Sequence, residues 1–416
     1  MITELPRRNS IARRIVTLAA MLMTLLVVSA CSTGGVSVGS LFSDDKTEAG
    51  NTGQQAQDVS PFGTPGTSGG PVKVALLLPL SAPGQTASIA KALKNAAEAA
   101  LLDSGSESIQ LLTKDTSGNA DGARTAVNAA LKEGATLILG PLLSAEVQAV
   151  APIARQRNVP VIAFSSVAGV AGNGVYLMSF LPSEEVSNLV RYAASQGIRN
   201  LAAMIPQSAY GGTVENALNQ AAVANGAKIV ALDRYTRSVA GVASTSKAVA
   251  GKIANSTNDI QGLFLPEGGP MLANAANGLT AAGVTSGKVR MLGTGLWDER
   301  ATSNVQLVIG GWYAGVSPDL IARFTGRYQK AYGSTPPRLA SLAYDAVSLA
   351  IIVTRTAPGG KATAKDITNP EGFKGVNGLF RFRRNGKVER GLSILEVTPT
   401  GPREVSPAPD RFSAAS

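Results

Sequence analysis

Val72-Lys73-Val74-Ala75-Leu76-Leu77-Leu78-Pro79-Leu80 marks the point at which the chain changes texture. Before it, from Ser32 to about Gly70, the residues are mostly Ser, Gly, Thr, Gln and Pro with almost no apolar periodicity, the composition of a flexible tether. After it, short apolar runs alternate with Ala-rich segments of helical period. Lys73 to Leu78 is apolar on both faces and so reads as a strand inside a parallel sheet covered by helices.

The rhythm continues as a βαβ alternation. Helices are predicted at Thr86 to Leu102, Asp121 to Lys132 and Ser144 to Arg157, and strands at Ile109 to Leu112, Thr136 to Leu139 and Val161 to Phe164. It restarts after Pro182 with a helix over Ser183 to Ser195, where Glu184 and Glu185 suit the positive end of the helix dipole. Strands are predicted at Leu201 to Ile205, Lys228 to Leu232, Gln261 to Leu265 and Val289 to Leu292. The helices between them are Thr213 to Ala224, Ser246 to Ala254 and Met271 to Ala282. Two more helices, Pro318 to Ala331 and Arg338 to Thr354, precede a hairpin of Gly378 to Phe382 and Leu392 to Val397, with Asn385-Gly386 near the turn. The expected fold class is therefore α/β with two Rossmann-like lobes, whose shared cleft lies beyond the carboxyl ends of the strands.

Composition narrows the chemistry. The 416 residues contain no histidine and one cysteine, which removes Ser-His-Asp and Cys-His catalysis and any zinc site that needs histidine. A net charge of +10 is partly the work of Arg7, Arg8, Arg13 and Arg14, and aromatic residues are only 5% of the chain. Neither a basic stripe nor stacking aromatics mark a nucleic-acid surface. No catalytic residues, cofactor or metal are expected. Gly66-Thr67-Ser68-Gly69-Gly70 fits a nucleophile-elbow pattern but lies in the tether with no strand before it. Ser88-Ile89-Ala90-Lys91 and Ser244-Thr245-Ser246-Lys247 fit S-x-x-K without its companion motifs.

The start of the chain reads as an export signal over residues 1–30. A basic segment is followed by the apolar run Ile15 to Val28 and by the small residues Ser29-Ala30. Val28-Ser29-Ala30-Cys31 resembles a bacterial lipobox, which implies acylation of Cys31 and a membrane tether over residues 31–71. About forty residues of flexible coil span roughly 35 Å. By the same resemblance, Ser32 after the cysteine implies the periplasmic side of the outer membrane in a Gram-negative envelope.

Val74 to Leu80, Gly140-Pro141 with Ser144, Val159 to Ile162, Tyr210-Gly211 and Tyr344 to Val347 follow one another in an order and spacing that resemble the type I periplasmic binding proteins of the leucine/isoleucine/valine-binding kind. The resemblance implies three hinge crossings. Lobe one would hold residues 72–182 and 314–375, lobe two 183–313 and 376–400, with a disordered tail over 401–416. Gly293-Thr294-Gly295-Leu296-Trp297-Asp298 together with the lipobox also resembles the penicillin-binding-protein activator lipoproteins of the LpoA/LppC type, although the helical N-terminal domain of the best-known members is replaced here by the tether.

The family resemblance implies a cleft site for a small amino-acid-like ligand. Ser144 matches the hydroxyl that holds the ligand carboxylate at a helix N-terminus, and it would equally serve as an ordinary N-cap. Ser165 and Ser166 end a strand at the cleft edge, and Tyr210 matches the lobe-two tyrosine that covers the ligand. The acidic residue that would neutralise an ammonium falls near Gly295 and is absent, which leaves the carboxylates Glu267 and Asp298, with Trp297 beside the latter, as further candidate cleft contacts. The leading expectation is a non-enzymatic activator that docks on a peptidoglycan synthase. The alternative is an amino-acid or amide receptor that serves the permease of an ABC importer.

Overall fold

The computed structural model describes the backbone of residues 57–58 and residues 70–257 and 259–412. The export signal, Cys31 and nearly all of the tether lie outside the described residues.

Lobe one is built on five parallel strands: β2 (Val72–Leu78), β3 (Ile109–Asp115), β4 (Leu137–Leu139), β5 (Val161–Ala163) and β6 (Val175–Leu177), in the order β3-β2-β4-β5-β6. The apolar stretch that opened the sequence is β2, where Val74 to Leu78 are all fully buried, as expected of a central strand. Its helices are α1 (Gln85–Ser104), α2 (Ala120–Lys132) and α3 (Ser144–Gln156).

Lobe two holds α4 (Pro182–Ser195), α5 (Ala209–Ala224), α6 (Val239–Asn255) and α7 (Gly269–Ala281) around a seven-stranded sheet. That sheet contains β7 (Asn200–Pro206), β8 (Lys228–Tyr235), β9 (Gly262–Phe264), β10 (Arg290–Leu292) and β11 (Trp312–Gly315) as parallel strands. It ends in two antiparallel strands, β15 (Ser393–Thr398) and β16 (Gly401–Ser406).

Between β11 and β15 the chain returns to lobe one. α8 (Pro318–Tyr332) packs on α1 through the hydrogen bond from the Tyr332 hydroxyl to the Asn95 carbonyl, 2.7 Å. α9 (Ala340–Thr356) also packs on α1 and is buried from Ala340 to Thr354, which explains why its sequence is apolar all round. A single turn, α10 (Ala364–Ile367), leads to β12 (Phe373–Gly375), β13 (Gly378–Phe382) and β14 (Val388–Arg390). These form a small sheet in the order β1-β12-β13-β14, with β1 the pair Gln57–Asp58.

Three expectations are corrected. Gly378 to Phe382 does not pair with Leu392 to Val397: the first pairs with β14, while β15 pairs with β11 and β16. The Asn385-Gly386 turn does close a hairpin, but a shorter one, and its Gly386 carbonyl accepts from the Leu177 N–H of β6, which fastens the small sheet to lobe one. Residues 376–390 therefore belong with lobe one. The chain from 401 is not a disordered tail through 406, because β16 extends the lobe-two sheet; residues 413–416 lie outside the described residues. The crossings fall between β6 and α4, between β11 and α8, and between β14 and β15, so β11 stays with lobe two.

Candidate functional site

The rim of lobe one is set by the turn after β4. Gly140 has φ +88°, and a Cβ there would run into the Leu77 backbone carbonyl, so the chain can pass this close to β2 only with glycine. The turn is tied down from below by Glu146. This side chain is fully buried, accepts from the Leu143 N–H at 3.1 Å and takes the Thr116 hydroxyl proton donor on its other oxygen. Burial pushes the Glu146 carboxyl up, against the lowering effect of those hydrogen bonds. Sequence reasoning missed both residues; a glutamate at the third position of a predicted helix was the available signal.

This scaffold fixes Ser144 as the first helical residue of α3, with Leu143 in the N-cap position, so the serine is not the cap. Among the described residues the Ser144 hydroxyl has no hydrogen-bond partner, and neither has that of the exposed Ser166. Ser165 is buried and its hydroxyl accepts from the Val167 N–H at 3.2 Å. Two hydroxyls and the free N–H groups of a helix start thus lie at the carboxyl ends of adjacent strands, an arrangement suited to an anion.

The rim of lobe two is already bonded to itself. Tyr210 lies in the first turn of α5, rather than in a loop, and its hydroxyl meets the buried Thr294 hydroxyl at 2.8 Å. Burial pushes the Tyr210 phenol up, so it stays a neutral donor. Glu267 is 3% exposed, which excludes a solvated loop charge. It accepts from the Tyr235 hydroxyl at 2.6 Å and pairs with the Arg237 guanidinium at 3.2 Å. Burial and the bond to Glu267 both raise the Tyr235 phenol. Trp297 is 1% exposed and packs edge-on to Tyr313 in the lobe-two core, so its ring is not a cleft contact. Asp298 accepts from the Tyr313 hydroxyl at 3.2 Å.

The position where the family resemblance called for an acid has a physical explanation. A Cβ at Gly295 would collide with the Arg338 guanidinium and the Glu185 carboxylate. Glu185 accepts from the Gly295 N–H at 2.9 Å, Arg338 donates to the Gly295 carbonyl at 2.9 Å, and the two side chains pair at 3.2 Å. Arg338 also lies 3.8 Å from Asp298. An ion pair between α4 and the loop just before α9 fills the space that a longer side chain at 295 would need.

Arg338 belongs to a second assembly, at the hinge. Its guanidinium stacks over Phe180 at 4.2 Å from the ring centroid, and Arg390 lies over the same ring at 4.9 Å. Phe180 lies in the first crossing between the lobes, Arg390 ends β14 beside the third, and Arg338 comes from the loop between α8 and α9. Arg390 donates to the Ser179 carbonyl at 2.9 Å and is 2% exposed. Burial lowers its guanidinium to about 10, against the raising effect of Asp345. Asp345, fully buried in α9, is pushed up by burial to about 6 despite Arg390 and the N–H groups of Val376 and Asn377.

Among the described residues no hydrogen bond or ion pair joins Ser144, Ser165 or Ser166 to Tyr210, Glu267 or Asp298, and no group of three or more metal-ligating side chains occurs. The two rims are separate surfaces on separate lobes. No described helix is long and apolar enough to cross a membrane.

A family model described as periplasmic binding protein matches residues 71–402. No curated protein matched. Among solved structures, a putative branched-chain amino acid ABC transporter protein from Rhodospirillum rubrum is similar at 19% identity and TM-score 0.70, covering 80% of this chain and 100% of that one. A leucine binding protein from Thermotoga maritima is similar at 19% identity and TM-score 0.57, covering 82% and 99%. A Rhodopseudomonas palustris solute binding protein in complex with 3,4-dihydroxybenzoic acid is similar at 19% identity and TM-score 0.60, covering 83% and 98%. Two α/β lobes linked by three crossings, with a family match running from the first strand of lobe one into the last strand of lobe two, make this chain a member of the periplasmic binding protein family.

Proposed function

We propose that the chain is a non-enzymatic solute receptor of the periplasm that takes a small carboxylate in the cleft between its lobes and presents it to an ABC importer permease. One observation carries this reading. Among the described residues the hydroxyls of Ser144 and Ser166 stand without partners at the carboxyl ends of β4 and β5, whereas Glu185, Glu267 and Asp298 are all bonded already. A desolvated carboxylate finds donors here. An ammonium finds no free counter-ion, and leaving one unpaired costs several kcal/mol. The favoured ligand is thus an acid without an amino group beside it, aromatic or aliphatic, in preference to leucine. Titration calorimetry of the full chain with benzoate and with leucine tests this. Saturable benzoate binding that weakens in Ser144→Ala is expected; tighter binding of leucine, or heat from neither ligand, overturns it.

The absence of a free counter-ion also favours a second reading, in which the body is a penicillin-binding-protein activator that works by docking, carried outward by the lipid-anchored tether. Stimulation of peptidoglycan synthase activity by the purified chain, with no small ligand bound, is the result that would select it.

A further inference from the structure

A second cavity, of about 480 Å³, opens at the opposite end of β5 from the serine rim. It lies between the last turn of α3, the Asn173-Gly174 turn before β6, and the Lys361–Ala364 segment that enters α10. Its volume falls within the roughly 300–1,000 Å³ of small-molecule sites.

The lining is apolar at the walls, with Val159, Val161 and Ala362, and its polar part includes the neutral Asn158, Asn173 and Thr363. It carries two cations, Arg155 and Lys361, and no carboxylate. The Arg155 Nε donates to the Asn173 carbonyl at 3.2 Å, and among the described residues its terminal nitrogens have no hydrogen-bond partner. The Lys361 ammonium and the Asn158 side-chain amide make no hydrogen bond among the described residues. Tyr176 also lines the cavity; it is 5% exposed and packs its ring edge-on against Phe382. Among the described residues its hydroxyl has no hydrogen-bond partner, and it is free to donate to a bound acceptor.

We infer that this cavity binds a phosphomonoester carrying a small apolar body. A phosphate offers three acceptor oxygens to a forked guanidinium, an ammonium and neutral donors, and the apolar walls receive the rest of the molecule. The site is independent of the cleft ligand, because it uses no residue of either rim.

The test is ligand-observed NMR and calorimetry on the full chain with phenyl phosphate, and with inorganic phosphate for comparison. Saturable binding of phenyl phosphate, at least tenfold tighter than inorganic phosphate, is expected. It should weaken at least tenfold in Arg155→Ala/Lys361→Ala, whose exposed side chains can be removed without loss of fold, and several-fold in Tyr176→Phe. It should be unchanged in Ser144→Ala. Binding that survives the double substitution, binding lost in Ser144→Ala, or no saturable binding overturns the inference. Failure of the cleft reading would leave each of these results intact.

Discussion

At the rim of lobe one the Ser144 and Ser166 hydroxyls are without partners among the described residues, whereas at the rim of lobe two Tyr210 is bonded to Thr294, Tyr235 to Glu267, and Glu267 to Arg237. Both rims sit at the carboxyl ends of parallel strands, so the difference lies in the side chains and not in the architecture. An open set of donors retains the capacity to bind. A closed network is preorganised but has spent its hydrogen-bonding capacity internally, so it shapes a wall more than it holds a charge.

The contrast can be broken most severely at Gly295. Gly295→Asp forces a side chain into the space held by Arg338 and Glu185 and adds a like charge beside Glu185. A loss of about 3 kcal/mol is expected in urea unfolding, with no gain in leucine affinity; improved leucine binding would mean that the position can still act as the family's acid. Next is Glu267→Ala, which strands the buried Tyr235 hydroxyl and should cost about 2 kcal/mol by the same measurement. A change near zero would mean that the lobe-two network is not closed. Tyr210→Phe removes one hydrogen bond and should cost about 1 kcal/mol. Smallest in stability is Ser144→Ala, expected within about 0.5 kcal/mol of the parent because its hydroxyl is unbonded, while benzoate affinity falls about tenfold, some 1.4 kcal/mol. The reverse pattern, loss of stability with affinity unchanged, would make Ser144 structural.

Much of the scaffold was legible because burial writes itself into periodicity. Val74 to Leu78 could only be a central strand, and the Ala-rich segments between strands could only be helices facing a sheet. Ser144 and Tyr210 were placed by resemblance, and both do lie at strand ends. Other features were opaque. The pairing of Gly378 to Phe382 with β14 and not β15 depends on which sheet each strand reaches, and two strands with similar alternation look alike locally. Trp297 looked like a cleft aromatic because it stands beside Asp298, yet the glycines at 293 and 311 make room for its ring inside the core. The stack of Arg338, Phe180 and Arg390 joins residues from three distant stretches of the sequence, and no local pattern announces it.

By itself, then, the sequence determined two α/β lobes, and it excluded histidine-dependent chemistry, because periodicity and composition are properties of the chain alone. Only the tertiary structure decided which polar groups remain free. Glu185 and Arg338 are 153 residues apart, and their pairing at 3.2 Å is what gives Gly295 its role. Whether a carboxylate is a ligand contact or an internal brace depends on which partner the fold brings within hydrogen-bond distance.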